Sequence, residues 1–250
     1  MSEFSGKVAL VTGGGSGIGE ASALVFAERG AAVAVVDVDA AAAQRVASRI
    51  ESGGGQALAV AANVAQASQV QAAVAQAVAH FGRLDALLNS AGISPQYAAV
   101  GDYPLAEWDR TVAINLSGTF YGMKYAIPEM LRHDGGAVVN ISSIMGQVAS
   151  PGGLAYCATK HGVIGLTKAA ALDYGSRGVR VNAIGPGMVE TPMTAASVND
   201  EMRQALLACT PLKRFAQARD IAELIVFLCS ARASFMTGAY YPIDGGYLAM

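Results

Sequence analysis

The stretch that decides the fold is Lys7–Gly19, KVALVTGGGSGIG. An apolar, β-branched run ends at Thr12, glycines crowd the next seven positions, and helical spacing begins beyond them. A glycine cluster by itself is equally the mark of an ordinary turn. Here it follows a strand and opens a helix, where peptide N–H groups and the positive end of the helix dipole face an anion. Glycine lets the backbone approach a pyrophosphate with no Cβ in the way. The spacing is TGxxxGxG rather than GxGxxG, and it makes Gly13, Ser16, Gly17 and Ile18 the expected dinucleotide contacts.

Outward from that motif, the second apolar run ends at Asp37, 18 residues past Gly19. A carboxylate there accepts hydrogen bonds from both ribose hydroxyls of an adenosine and repels a 2′-phosphate. Position 16 is serine, not arginine or lysine. Both observations favour NAD over NADP. The plainer reading of Asp37, and of Asp39 beside it, is a turn residue.

Short apolar runs recur at KVALV, AVAVVD (from Ala32), ALAVAA (from Ala57), ALLN (from Ala86), AVVNI (from Ala137) and VRVNAI (from Val179). Between them lie Ala-rich helical stretches, one starting near Ala40 and one with Val70, Val74, Val78 and Phe81 on a common face. This alternation predicts an α/β fold, a doubly wound and mostly parallel sheet with helices on both faces, Rossmann-like. The reading is one domain over 1–250. The segment 188–212 is too long for a plain connection and is expected to be a substrate lid. The tail from Thr237 carries one more strand candidate, AYYPI, docked in its own sheet edge or against a partner subunit.

Composition narrows the function classes. Of 250 residues 53% are hydrophobic and 14% charged, which excludes a disordered chain. A net charge of −2 gives no reason to expect nucleic acid or an anionic membrane. Every apolar run is interrupted well before the ~18 residues of a membrane span, and the start, MSEFSGKVAL, lacks the pattern of a signal peptide. Cys157, Cys209 and Cys229 are expected to be small buried hydrophobes in a cytoplasmic protein. With His80, His133 and His161 they form no metal-ligand spacing, so no metal is expected.

The chemistry-bearing pair is Tyr156 and Lys160, four apart and so on one helix face. A free phenol, with a pKa near ~10, is a poor base at neutral pH. A nearby ammonium lowers that value, and the pair is then suited to passing a proton to or from a substrate oxygen while a cofactor handles hydride. Tyr-x-x-x-Lys alone is often an exposed helical pair. Here Ser143 stands thirteen residues earlier, just beyond the strand AVVNI, where open α/β sheets bind ligands. Its hydroxyl can donate to a developing oxyanion.

These residues resemble the short-chain dehydrogenase/reductase family, end to end, in its compact branch. TGGGSGIG is similar to the family's cofactor motif, and Asn89-Ser90-Ala91-Gly92 to its NNAG motif, which implies Asn89, Ala91 and Gly92 as cofactor contacts. Asn115, Ser143, Tyr156 and Lys160 match its catalytic tetrad in order and spacing. Pro186-Gly187, with Val189 and Thr191, matches the segment that holds the nicotinamide carboxamide. The resemblance implies that Tyr156 exchanges the proton, Lys160 tunes it and binds the nicotinamide ribose, Ser143 orients the substrate oxygen, and Asn115 holds a relay water. For Asn115 the plainer role is satisfying a local backbone break. Asn63-Val64 stands where the family has an aspartate for the adenine amine, and an amide oxygen can still accept that bond. Ser90 replaces the second asparagine of NNAG, which touches a local structural hydrogen bond.

The residues expected to face the substrate, beside Ser143 and Tyr156, are Ile144, Met145, Ser94, Pro95, Tyr97, Met188 and Met193. They are mostly apolar, with no arginine cluster, so a secondary alcohol or ketone of apolar character is expected. A 3-oxoacyl thioester reductase or a hydroxysteroid or sugar dehydrogenase stays open. The four-residue Tyr–Lys spacing argues against an enoyl reductase, and the intact tetrad against an NAD-sensing regulator. The resemblance also implies a homotetramer.

Overall fold

The computed structural model describes residues 2–94 and 96–249. Pro95, one of the residues expected near the substrate, lies outside the described residues. The first half of the chain runs β1 (Val8–Thr12), α1 (Gly17–Glu28), β2 (Ala32–Asp37), α2 (Ala40–Ser52), β3 (Ala57–Ala61), α3 (Ala67–Phe81) and β4 (Ala86–Asn89). Then come α4 (Leu105–Thr111), a π-helical turn over Val112–Ser117, α5 (Gly118–Met130), β5 (Gly136–Ile141), α6 (Leu154–Tyr174) and β6 (Val179–Pro186). The chain closes with β7 (Val189–Glu190), α7 (Pro192–Ser197), α8 (Asp200–Ala208), β8 (Ala216–Gln217), α9 (Ala218–Cys229) and β9 (Tyr240–Ile243).

Seven strands make one sheet in the order β3-β2-β1-β4-β5-β6-β9, and every pairing in it is parallel. The order reverses between β1 and β4, and a crevice at that point, outside the carboxyl ends of the strands, is where such sheets bind ligands. Parallel strands covered on both faces need apolar residues on both. In β1, Ala9 and Val11 enter one core cluster with α1, α2 and α9. Val8 and Leu10 enter the other with α3, α5 and α6. The side-chain period of two thus separates the two cores.

Helix α3 shows how local chemistry sets an element. Its buried residues are Val70, Ala73, Val74 and Ala77, with Val78 and Phe81 at the edge of the core. It ends at Gly82, whose φ of 83° is left-handed and whose N–H returns to the Val78 carbonyl at 2.8 Å. Asp39 caps α2, accepting from the N–H groups of Ala41 and Ala42 at 3.0 and 3.1 Å.

The segment 188–212 holds its own structure. β7 pairs with β8, and α7 and α8 lie between them in sequence. Arg203 of α8 pairs with Glu190 of β7 and stacks 4.2 Å from the Phe215 ring. The tail strand takes the first of its two expected places, at the sheet edge beside β6. One cysteine departs from expectation: Cys157 and Cys229 are buried, but Cys209 is exposed, just past the end of α8, which buries no residue. No helix among the described residues is long and apolar enough to cross a membrane.

Candidate active site at the carboxyl ends of the strands

The glycine loop is shaped by what a side chain would strike. A Cβ on Gly13, whose φ is 64°, would lie 2.8 Å from the backbone of Ala91, so the loop after β1 and the loop after β4 pack backbone to backbone. Thr12 ties the same two loops, its hydroxyl accepting from the N–H groups of Ser90 and Ala91 at 3.2 and 3.3 Å. Ser90 thus joins the structural hydrogen bonding through its main chain. Ser16, at the start of α1, is exposed and makes no side-chain capping bond, which leaves this helix end suited to a phosphate. Ile18 is half-buried against the core.

Asp37 ends β2 as expected and does both things weighed for it. One carboxylate oxygen accepts from the Asp39 N–H at 3.0 Å, as a turn residue does. The other accepts from the Gly15 N–H at 2.9 Å and so fixes the glycine loop. Asn63 follows β3, and its amide oxygen accepts from the Ala65 N–H at 3.0 Å; that oxygen has a second lone pair for another donor. Val64 is buried, and a Cβ on Gly118 would come within 3.0 Å of it.

One expectation is narrowed and one needs correction. Asn89 stands as an expected cofactor contact, but its side chain does not face the crevice. It is buried, donating to Asn140 Oδ1 at 2.8 Å, and presses on Gly122 of α5, where any side chain would collide with it. Only its main chain remains available to a cofactor. Ile144 does not face a substrate either: it is fully buried in the short 3-10 turn Ile144–Gly146, which rotates it inward after Ser143.

The tetrad residues come from two elements, the π turn and α6, and the end of β5, and they converge beside Gly92. A Cβ on Gly92 would stand 3.3 Å from Asn115 Oδ1 and 3.8 Å from Lys160 Nζ. Asn115 is buried in the π turn, its Oδ1 accepting from the Ile93 N–H at 2.8 Å and its Nδ2 donating to the Ile93 carbonyl at 3.2 Å. The side chain therefore satisfies a backbone break, but the one in the loop after β4 rather than in its own helix. Lys160 is buried and donates to the Ile141 carbonyl at 2.9 Å, with Nζ 5.4 Å from the Tyr156 ring centroid. Burial, with no carboxylate partner, pushes its pKa down to about 8.

Tyr156 departs from the expected direction. Burial raises its pKa above the ordinary phenol value, and the nearby Ser143 side chain only partly offsets this. Burial disfavours the phenolate, and the protonated phenol is the form that donates to a carbonyl.

Ser143 is buried and its Oγ accepts from the Met145 N–H at 3.1 Å. Its own carbonyl accepts from the Tyr240 hydroxyl at 2.9 Å, across 97 residues of sequence. Gly185 leaves room for that ring, since any side chain there would overlap it. Spacing gave no signal of this contact. Past β6, Gly187 donates to the Ile243 carbonyl at 3.1 Å, and Val189 is buried. Thr191, capping α7, approaches the glycine loop: a Cβ on Gly17 would lie 3.3 Å from its methyl group. The segment after β6 and the glycine loop thus meet. Met145 and Met188 are half-buried, and Met193 and Tyr97 are exposed.

The residues present fit a nicotinamide dinucleotide: an open helix end with an exposed serine, a carboxylate at the tip of β2, and a buried ammonium near a phenol. No cluster of His, Cys, Asp or Glu suited to a metal occurs among the described residues. A hollow of about 530 Å³ lies at the opposite, amino ends of the strands, lined in part by Lys7, His80 and Arg83. It holds none of these groups, and Lys7 and Arg83 are already paired with Asp85.

A parallel sheet with this convergence defines a dinucleotide-dependent oxidoreductase. Comparison with known proteins agrees. The family model described as "Enoyl-(Acyl carrier protein) reductase" matches residues 13–248. Cyclohexanol dehydrogenase of Acinetobacter sp. (strain SE19) is 42% identical, over 98% of this chain and 96% of that one. The 3-oxoacyl-[acyl-carrier-protein] reductase of Staphylococcus aureus is 43% identical, over 96% and 97%. A 7α-hydroxysteroid dehydrogenase solved with NADH and 7-oxo glycochenodeoxycholic acid superposes with a TM-score of 0.94 at 33% identity, over 98% and 95%. The chain belongs to the short-chain dehydrogenase/reductase family, and it is an oxidoreductase of CH–OH and C=O groups.

Proposed function

We propose that this chain is a cytoplasmic, NAD(H)-dependent dehydrogenase that interconverts an apolar secondary alcohol and its ketone, with Tyr156 as acid/base. The observation that carries the reading is the meeting of Asn115, Lys160 and the Gly92 loop beside Ser143 and Tyr156, next to the glycine cradle. Bound nicotinamide supplies or accepts the hydride. Ser143 donates to the substrate oxygen and holds it against the phenol. Tyr156 gives its proton to that oxygen in reduction and takes it back in oxidation. Lys160, close by, makes the phenolate less costly when the proton has left. Asn115 holds the Ile93 loop, and so the floor of the site.

Asp37 supports NAD, because a carboxylate at the end of the second strand of such a sheet repels a 2′-phosphate. The seven-strand sheet, drawing strands from Val8 to Ile243, supports a single domain over 1–250, with 188–212 as its lid. Met145, Met188 and Met193 are the apolar side chains we assign to the substrate, and the likeness to a cyclohexanol dehydrogenase favours a cyclic alcohol. A thioester reductase is the second reading, favoured by the likeness to the 3-oxoacyl reductase. Exposed Phe120, Leu172 and Phe235 supply apolar surface for a homotetramer.

The test is an initial-rate panel of cyclic, linear and acyl-thioester substrates with NAD and NADP in parallel. Turnover of cyclic alcohols with NAD is expected; a preference for NADPH and thioesters would replace this reading with the second. Tyr156→Phe should lower turnover by at least about a hundredfold while NADH binding, followed by fluorescence, stays unchanged. Retained turnover would remove Tyr156 from the mechanism.

A further inference from the structure

Two arginines of α2 lie against the glycine loop. Arg45 Nη2 donates to the Gly15 carbonyl at 2.6 Å. The same guanidinium grips both carboxylate oxygens of Glu20, at 2.9 Å each. Arg49 makes a second contact with Glu20. On its other side Gly15 donates its N–H to Asp37 at 2.9 Å. One residue of the loop is therefore held between the carboxylate that ends β2 and a guanidinium from α2. Glu20, in the first turn of α1, is the less exposed member, 17% against 49% and 54% for the arginines.

Arg45 and Arg49 face Glu20 directly, with Asp37 and Asp39 close by. The carboxylates outnumber the guanidiniums, a setting that suits neutral ribose hydroxyls rather than a phosphate. A guanidinium fork is also the side chain best matched to a phosphate, through paired N–H donors. Arg45 already stands one peptide from Asp37, and Glu20 occupies its fork. We propose that Glu20 is a specificity-determining residue for the cofactor: by holding Arg45 and Arg49 it denies a 2′-phosphate the guanidiniums beside the ribose end of the loop. Glu20 and Asp37 together, rather than Asp37 alone, set the preference for NAD. This rests on the NAD reading above.

The test measures binding of adenosine 2′,5′-bisphosphate by titration calorimetry, with melting curves for every variant. The proteins are wild type, Asp37→Ser, Asp37→Ser/Glu20→Gln, and the latter with Arg45→Met. NADH and NADPH binding to wild type comes first: equal affinities would sink the NAD reading itself. With NADH preferred, the double variant should bind the bisphosphate at least about tenfold more tightly than Asp37→Ser. Added salt should weaken that gain, and Arg45→Met should abolish it. A double variant that melts like Asp37→Ser and binds no better overturns the proposal and leaves the NAD reading intact. If the double variant does not fold, Arg45→Met is placed in Asp37→Ser with Glu20 present. A guanidinium held by Glu20 should then contribute nothing, and a loss of bisphosphate binding on its removal overturns the proposal.

Discussion

The two ends of the sheet treat buried charge in opposite ways. At the amino ends Asp85, 8% exposed, is surrounded by compensation: Lys7 at 2.9 Å, Arg83 at 2.6 and 2.8 Å, and the Val8 N–H at 3.0 Å. Burial pushes its carboxyl up, but the hydrogen bonds from Arg83 and Lys7 outweigh burial and hold it below the usual range. At the carboxyl ends Lys160, 5% exposed, has one carbonyl and no carboxylate, and burial takes it down to about 8. A compensated charge is structure. An uncompensated one marks the end of the sheet to which we assign the chemistry.

Removing each charge should separate the two roles. Lys160→Met is expected to lower turnover by at least about a hundredfold and yet to raise the melting temperature. The folded-state pKa lies below the unfolded value, so the penalty for holding the ammonium is complete below about pH 8 and fades as pH rises toward ~10.4. Relief of about 1–3 kcal/mol at neutral pH follows, and melting curves at pH 7 and 10 measure it. A variant that melts lower at both pH values would break the comparison.

Asp85→Asn should do the reverse, costing about 1–3 kcal/mol of stability with kcat unchanged. Its folded-state pKa is depressed, so its contribution is present above the unfolded value of ~3.9 and disappears as pH falls through the lower folded one. Denaturant melts of wild type and variant should therefore converge in acid; a gap that persists at the lowest pH would refute the assignment.

Two smaller effects sharpen the picture of the working end. The pH profile of kcat/KM for alcohol oxidation should rise through an inflection near 8, the value to which Lys160 is shifted, with the phenol and ammonium titrating as a pair. A profile flat from pH 6 to 9 would separate Lys160 from the proton transfer. Tyr240→Phe keeps the ring and removes only the bond to the Ser143 carbonyl. A fall in kcat of about three- to tenfold with KM unchanged is expected; an altered KM alone would place the phenol outside the positioning of Ser143.

Much of this was legible from residue order, because the signals were local. Strand runs and the period-two core followed from apolar patterning, and the glycine loop and Tyr156–Lys160 spacing from contacts within one turn or one helix. What escaped detection depends on long-range placement. Asn89 turned inward because Gly122 leaves a gap above it. Ile144 turned inward because the backbone bends immediately after Ser143. Tyr240 meets Ser143 only because β9 docks beside β6. Tyr156 shifts upward because burial, which no spacing reveals, outweighs its hydrogen bond with Ser143.

The π turn around Asn115 has a consequence for how this protein can change over time. A regular helix takes one residue per ~100°, and a π turn is what results when a single residue is added to it. Losing any one residue between Val112 and Ser117 would restore a uniform helix, rotate α4 against α5 by about that angle, and withdraw Asn115 from the Ile93 loop. Most length changes in proteins accumulate harmlessly in loops. Here a deletion of three nucleotides inside a helix would leave the sheet and its cores standing and remove the floor of the active site.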